Sequence, residues 1–206
     1  MQREGGCVPP LVARSRARYC VGPMADPTPV RQKIRFRDRP HRSLDERITA
    51  RFPAIARYTA ARVARMPPSS RLRQRLLARS VSRGFAAIKR GDLEFVLTAF
   101  YDPDVEWHGT VGGLDEGSLR RGHQEVMRGF DDYFAVWERL DLRPEEIIDT
   151  GDQLIVFVHE VARGRESGIV VETDTATIST FREGIVVRVR SFMDRSQALK
   201  AAGLWE

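Results

Sequence analysis

Apolar positions recur along the chain first with a period near 3.6 and then, from Leu140 onward, with a period of 2. The first helical stretch opens at Ser43, with Glu46 three residues on, the pairing in which a hydroxyl and a carboxylate satisfy free backbone N–H groups reciprocally. Leu44, Ile48, Phe52, Ile55, Val63 and Met66 follow at helical spacing. Pro53 is expected to kink or split this rod, and Pro67-Pro68 to end it. Ser69 or Ser70 then caps a helix carrying Leu72, Leu76, Leu77, Val81, Phe85 and Ile88, which stops near Gly91. A shorter helix is expected over 92–100, a brief strand over 105–108 and a Gly-rich loop through Gly109, Gly112, Gly113 and Gly117. The next helix, over 122–137, presents Val126, Phe130, Tyr133, Phe134 and Trp137 on its inner side. Strands follow over 140–148, 153–163, 169–181 and 185–193, joined by turns at Gly151-Asp152, Gly164 to Gly168 and Glu183-Gly184. Short turns between consecutive strands imply an antiparallel meander, and a last helix over 195–202 closes the chain.

Leu154 to Val158 is apolar at every position, so both faces of the sheet must be covered. Helices cover one; the other is left for a second subunit or for the N-terminal extension. Residues 1–42, with six prolines among arginines and no sustained period, read as a loose basic tail. The division that follows is a tail over 1–42, a helical extension over 43–70 and a domain over 71–206, with Met1 and Met24 both open as the start.

Charge sharpens this division. Residues 1–83 hold 20 Arg or Lys against 5 Asp or Glu, whereas the remainder holds 14 against 23. A domain with an acidic balance of its own is poorly suited to gripping phosphate backbones, so no nucleic acid is expected on it. The basic helical extension has three readings: its apolar stripe packs on the domain with arginines in water, it lies on an anionic membrane or partner, or it meets nucleic acid. Cys7 and Cys20 both fall in the tail, so no disulfide framework organises the core. No apolar run is long enough to span a membrane, and Arg14, Arg16 and Arg18 stand where a signal peptide would be apolar, so the expected location is the cytoplasm.

The order helix, short helix, strand, loop, helix and four-stranded meander carries Lys89-Arg90-Gly91-Asp92, Tyr101-Asp102-Pro103-Asp104-Val105-Glu106-Trp107 and Phe181-Arg182-Glu183-Gly184-Ile185-Val186. Over about 71–204 this pattern resembles the nuclear transport factor 2-like superfamily, and within it the SnoaL-like branch. The resemblance implies an α+β fold: a cone-shaped roll in which a curved antiparallel sheet wraps around helices and leaves a central pocket, here preceded by the Arg-rich, partly helical extension. It also implies a homodimer through the convex sheet face. It does not imply one function, because the scaffold hosts isomerases, hydrolases, cyclases, dehydratases and non-catalytic binders. A ketosteroid isomerase site would need a carboxylate and oxyanion donors where this chain has Trp107, Gly84 and Thr177. A limonene epoxide hydrolase-like Asp–Arg–Asp set falls on Ser191, Glu160 and Val158, which cannot reproduce it. The aspartate of SnoaL-type cyclases has no placed counterpart, and Asp194 is expected to cap the last helix.

With Trp107 facing the cone, strand parity aims Thr173, Thr175, Thr177, Ser191 and Glu160 inward, joined by Tyr133 and Trp137 from the helix. Such a cavity suits a partly apolar organic ligand bearing a few oxygens. A carboxylate there has its charged form disfavoured, which fits Glu160 for general acid or base work near neutral pH. A register slip of one would put His159 in its place. His108 and His123 flank the Gly-rich loop and are the other candidates for proton transfer, against an ordinary surface role. Trp107, Tyr133, Trp137, Thr175, Thr177 and Ser191 are the candidate ligand contacts, with core packing as the alternative for the aromatics. Four histidines at 41, 108, 123 and 159 form no metal-binding spacing, and Gly109-x-x-Gly112-Gly113 lacks the Lys-Ser/Thr of a phosphate loop, so neither metal nor cofactor is expected. The functional expectation is therefore a pocket protein for a small organic molecule, either a cofactor-independent isomerase, cyclase or hydrolase, or a non-catalytic binding or dimerisation module.

Overall fold

The computed structural model describes residues 28–204. Residues 1–27, most of the loose tail, lie outside the described residues. Of the two outcomes expected at Pro53, a kink or a split, the chain takes the second: α1 (Leu44–Arg51) and α2 (Pro53–Ala64) are separate helices. The break falls at Phe52, because Pro53 has no N–H to continue the ladder and sits instead at the first position of the new helix. The Ser43 N–H donates to the Glu46 carboxylate at 2.8 Å. Next come α3 (Arg71–Lys89), whose Ser70 cap accepts from the Arg73 N–H, and α4 (Leu93–Phe100), buried on almost every side.

Seven strands make one sheet. β1 (Val30–Lys33) lies at one edge, followed in spatial order by β4 (Trp137–Asp149), β5 (Gln153–Gly164), β6 (Val170–Arg182), β7 (Ile185–Phe192), β2 (Tyr101–Val111) and β3 (Leu119–Arg121). β4 to β7 form the antiparallel meander. The sheet as a whole is mixed, however, since β2 runs parallel to β7. Nearly the whole meander separates those two strands in sequence, so no tight turn dictates their direction. Both edge strands are additions to the expected set: β1 pairs with β4 through residues assigned above to the loose tail, and β3 pairs with β2 inside the expected loop. Between β3 and β4 stands α5 (Gly122–Ala135).

Curvature has a local cause. β4 carries a bulge between Pro144 and Glu146, which bends the strand and inverts its parity. Leu142 before it and Ile147 after it therefore face the same way, into a layer with Leu154, Val156 and Val158 against Leu77, Val81, Phe85 and Ile88 of α3. A second inner layer joins α4 and α5 to β2 through Leu97, Val105 and Val126.

The outer face is covered by the chain itself. Ile148, Ile155, Phe157, Ala176, Ile178 and Phe192 pack under Ala198 and Leu199 of α6 (Arg195–Ala201). Asp194 caps that helix by accepting from the Gln197 N–H at 2.8 Å, and the Arg195 guanidinium stacks 3.8 Å from the Phe157 ring centroid. The apolar outer side of β5, which pointed to a second subunit or the extension, thus needs neither.

The extension docks through other groups than its apolar stripe. Arg73, 3% exposed, donates to both carboxylate oxygens of Asp149 (2.6 and 2.8 Å), to the Gly151 carbonyl (2.7 Å) and to the carbonyls of Ala64 (2.7 Å) and Met66 (3.0 Å) at the end of α2. The α2 backbone also rests on the β6–β7 turn: at Gly184, with φ +82°, an added Cβ would come within 2.4 Å of the Ala60 carbonyl. Val63 and Met66 are half-buried, but Leu44, Ile48, Phe52, Ile55 and Tyr58 are 53–76% exposed. No helix among the described residues is long and apolar enough to cross a membrane.

Candidate functional site

The β4–β5 register puts Glu160 opposite Leu142, and the β5–β6 register puts it opposite Thr173, on the face that carries Val156 and Val158 toward the helices. Thr175 Oγ1 donates to its carboxylate at 2.6 Å and the Tyr133 hydroxyl at 3.2 Å. His159 points the other way, with Nδ1 2.9 Å from Asp174 and Nε2 3.3 Å from Glu172. Burial pushes the Glu160 carboxyl above its ordinary value, against the opposing pull of the Thr175 and Tyr133 hydrogen bonds. Burial, reinforced by the Glu160 charge, raises the Tyr133 phenol. His159 is raised as well, first by its bond to Asp174.

Trp137 opens β4 instead of closing the preceding helix, which ends at Ala135. Its ring meets Tyr133 edge-on at 6.1 Å. The indole N–H is buried beside the Tyr133 oxygen yet has no hydrogen-bond partner of good geometry among the described residues. Arg165, from the β5–β6 turn, donates to the carbonyls of Ala135 and Trp137, both at 2.9 Å, and so ties the turn to the end of α5. Exposed Val136, Ile169 and Val170 complete an apolar rim around this end of the sheet. The periodicity assigned that rim no role, because Ile169 and Val170 read simply as the start of a strand and Val136 as part of the preceding helix.

The remaining candidates separate into those near this group and those away from it. Thr177 and Ser191 face each other across β6 and β7 with hydroxyl oxygens 3.4 Å apart. Trp107 faces inward but is packed, stacked on Tyr101 at 5.8 Å and edge-on to Phe130 at 5.1 Å. Tyr101 and Phe130 thus fill the space that Trp107 was expected to share with a ligand. His108 alternates with Trp107 and so falls on the outer face, 3.9 Å from Glu106, which in turn accepts from Arg188. His123 sits on the first turn of α5 with Nε2 3.1 Å from the Asp102 carbonyl. The structure therefore brings neither histidine to Glu160. Two adjoining hollows of about 380 and 390 Å³ run outside the cone along β2, β3 and the start of α5; Arg121 and Gly122 line both, and His123 lines the second. No group of three or more His, Cys, Asp or Glu that could hold a metal ion occurs among the described residues.

Comparison with known proteins agrees with this architecture. A nuclear transport factor 2-like protein of unknown function from Burkholderia pseudomallei is 25% identical, with 59% of this chain and 93% of that one covered at a TM-score of 0.50. TerC, crystallised with polyporic acid, is also 25% identical, covering 61% of this chain and 95% of its own at a TM-score of 0.49. A candidate SnoaL-like polyketide cyclase from Jannaschia sp. CCS1 is 19% identical over 60% of this chain and 88% of that one, at a TM-score of 0.49. No curated protein matches the chain. The SnoaL-like domain matches residues 81–189, just over half of the sequence and the stretch that runs from the middle of α3 to β7, and the chain belongs to that family.

Proposed function

We propose that this SnoaL-like protein binds a small, partly apolar organic molecule at the open end of the cone, where Glu160 serves as the acid or base. The observation that carries this reading is the buried Trp137 N–H, which lies beside the Tyr133 oxygen without a hydrogen bond of good geometry among the described residues, while Tyr133 and Thr175 both donate to the Glu160 carboxylate. A buried donor left unpaired is costly, and a ligand carbonyl or hydroxyl oxygen would satisfy it. Apolar Val136, Ile169 and Val170 suit the body of such a ligand. In its protonated form Glu160 can donate to a ligand oxygen; once ionised it can take a proton from carbon or water, with Thr175 and Tyr133 stabilising the charge. Those two half-steps define a cofactor-independent isomerase, cyclase or hydrolase.

A second reading is favoured by the packing of Trp107 on Tyr101 and Phe130: a non-catalytic cup or dimerisation module. With α6 on the apolar half of the convex face, a second copy would meet the charged half around His159, Glu172 and Asp174.

The indole signals of 15N-labelled protein test the site directly. A collection of oxygenated aromatic and alicyclic fragments should move the Trp137 indole resonance, and Glu160→Gln should weaken the tightest of them. If no fragment moves that resonance while the Trp137 N–H stays shielded from solvent, the site is lost. An enzyme and a binder then separate on Glu160→Gln: turnover of a bound compound disappears in the first case, and only affinity changes in the second.

A further inference from the structure

The geometry points to a lipid-docking surface on α1 and α2, independent of what the cone holds: these helices lay their exposed apolar stripe on an anionic membrane surface. Leu44 and Ile48 on α1, Phe52 at the break, and Ile55 and Tyr58 on α2 are each more than half exposed, although their spacing of four, four, three and three residues is that of a face meant to be buried. Both helices contact α4 on their other side, so both stripes are turned away from the domain together. The eight and twelve residues of α1 and α2 supply about 30 Å of helix for such a contact.

Charge selects the occupant. Arg47, Arg51, Arg57, Arg62 and Arg65 are all exposed, and none has a carboxylate partner among the described residues. The two acids of α1 are turned to the domain instead. Asp45 meets Arg79 and Arg83 of α3, and Glu46, 2% exposed, meets Arg90 at 3.3 Å. The outward face is thus cationic and apolar at once. Arginines alone would suit any polyanion, but a row of Ile, Phe and Tyr between them requires a surface with an apolar interior beneath its negative groups, which is the composition of an acidic lipid headgroup layer.

Full-length protein in flotation assays should bind vesicles of equimolar phosphatidylcholine and phosphatidylglycerol, fail to bind pure phosphatidylcholine, and release as salt rises. Ile48→Ser with Phe52→Ser should lower partitioning by about tenfold or more, since two large apolar side chains no longer enter the lipid. Arg51→Gln and Arg57→Gln should each lower it by about fivefold. All four side chains are exposed, so circular dichroism should show an unchanged fold. Vesicle binding that survives Ile48→Ser with Phe52→Ser would overturn the proposal, because the attraction would then be charge alone. Two further results would also overturn it: duplex DNA binding the chain as tightly as the vesicles do, with the same indifference to Phe52, or a dimer in sedimentation that Phe52→Ser dissolves.

Discussion

At Glu160, burial favours the neutral carboxyl while Thr175 and Tyr133 favour the anion, and burial dominates. The folded chain therefore holds this proton more tightly than the unfolded chain, whose carboxyl titrates near its ordinary 4.5. Between those two values the folded state binds more protons, so the contribution of Glu160 to stability is full below the unfolded value and is lost as pH rises through the folded one. Glu160→Gln removes this penalty and keeps an acceptor for Thr175. Its melting temperature should match the parent at about pH 4 and exceed it at about pH 8. A Gln variant less stable than the parent at the higher pH would mean that the hydrogen bonds, not burial, decide the site. The inward course of Thr175, Thr177 and Ser191 was legible from parity, whereas His108, offered for proton transfer, lies on the face opposite Trp107. What parity could not decide was Glu160 against His159, because a slip of one residue exchanges them. The orphaned Trp137 N–H was invisible for a different reason, since it depends on where α5 stops.

Helices α3, α4 and α6 and the four meander strands begin and end within a few residues of the positions their periodicity suggests. Strands of three or four residues, such as β1 and β3, carry too few alternations to be read against a background of Arg and Gly. Period alone also left the extension undecided: it shows which side of a helix is apolar, not what that side faces. Small residues dock α2 instead, with Ala60 above Gly184. Gly184→Ala adds a Cβ in the left-handed region and drives it into the Ala60 backbone, at a cost of about 2 kcal/mol or more. The melting temperature should fall by roughly 4–8 °C. Hydrogen exchange should speed up in α2 while α3 stays protected, and unchanged α2 protection would mean that the helix is held elsewhere.

Across the molecule the basic N-terminal part, residues 1–83, and the acidic remainder are stitched together by ion pairs: Arg31 with Glu146, Arg42 with Asp92, and Arg73 with Asp149. The first two are partly exposed and contribute little each. Arg73 differs because every one of its N–H groups is used, on a buried carboxylate and on carbonyls from both the end of α2 and the β4–β5 turn. It joins the end of α2, the start of α3 and the meander at one point, so the three should unfold together. Thermal unfolding of the full chain is accordingly expected as a single transition. Arg73→Ala strands Asp149 in the interior and leaves the α2 carbonyls unpaired, a loss of about 3–5 kcal/mol that should lower the transition by roughly 10 °C or more. Arg73→Lys keeps the charge but cannot fork between a carboxylate and carbonyls, and it should recover only part of that loss. A parent protein that melts in two steps, or a lysine variant as stable as the parent, would show that the extension is a separate unit and that the guanidinium fork does not join it to the domain.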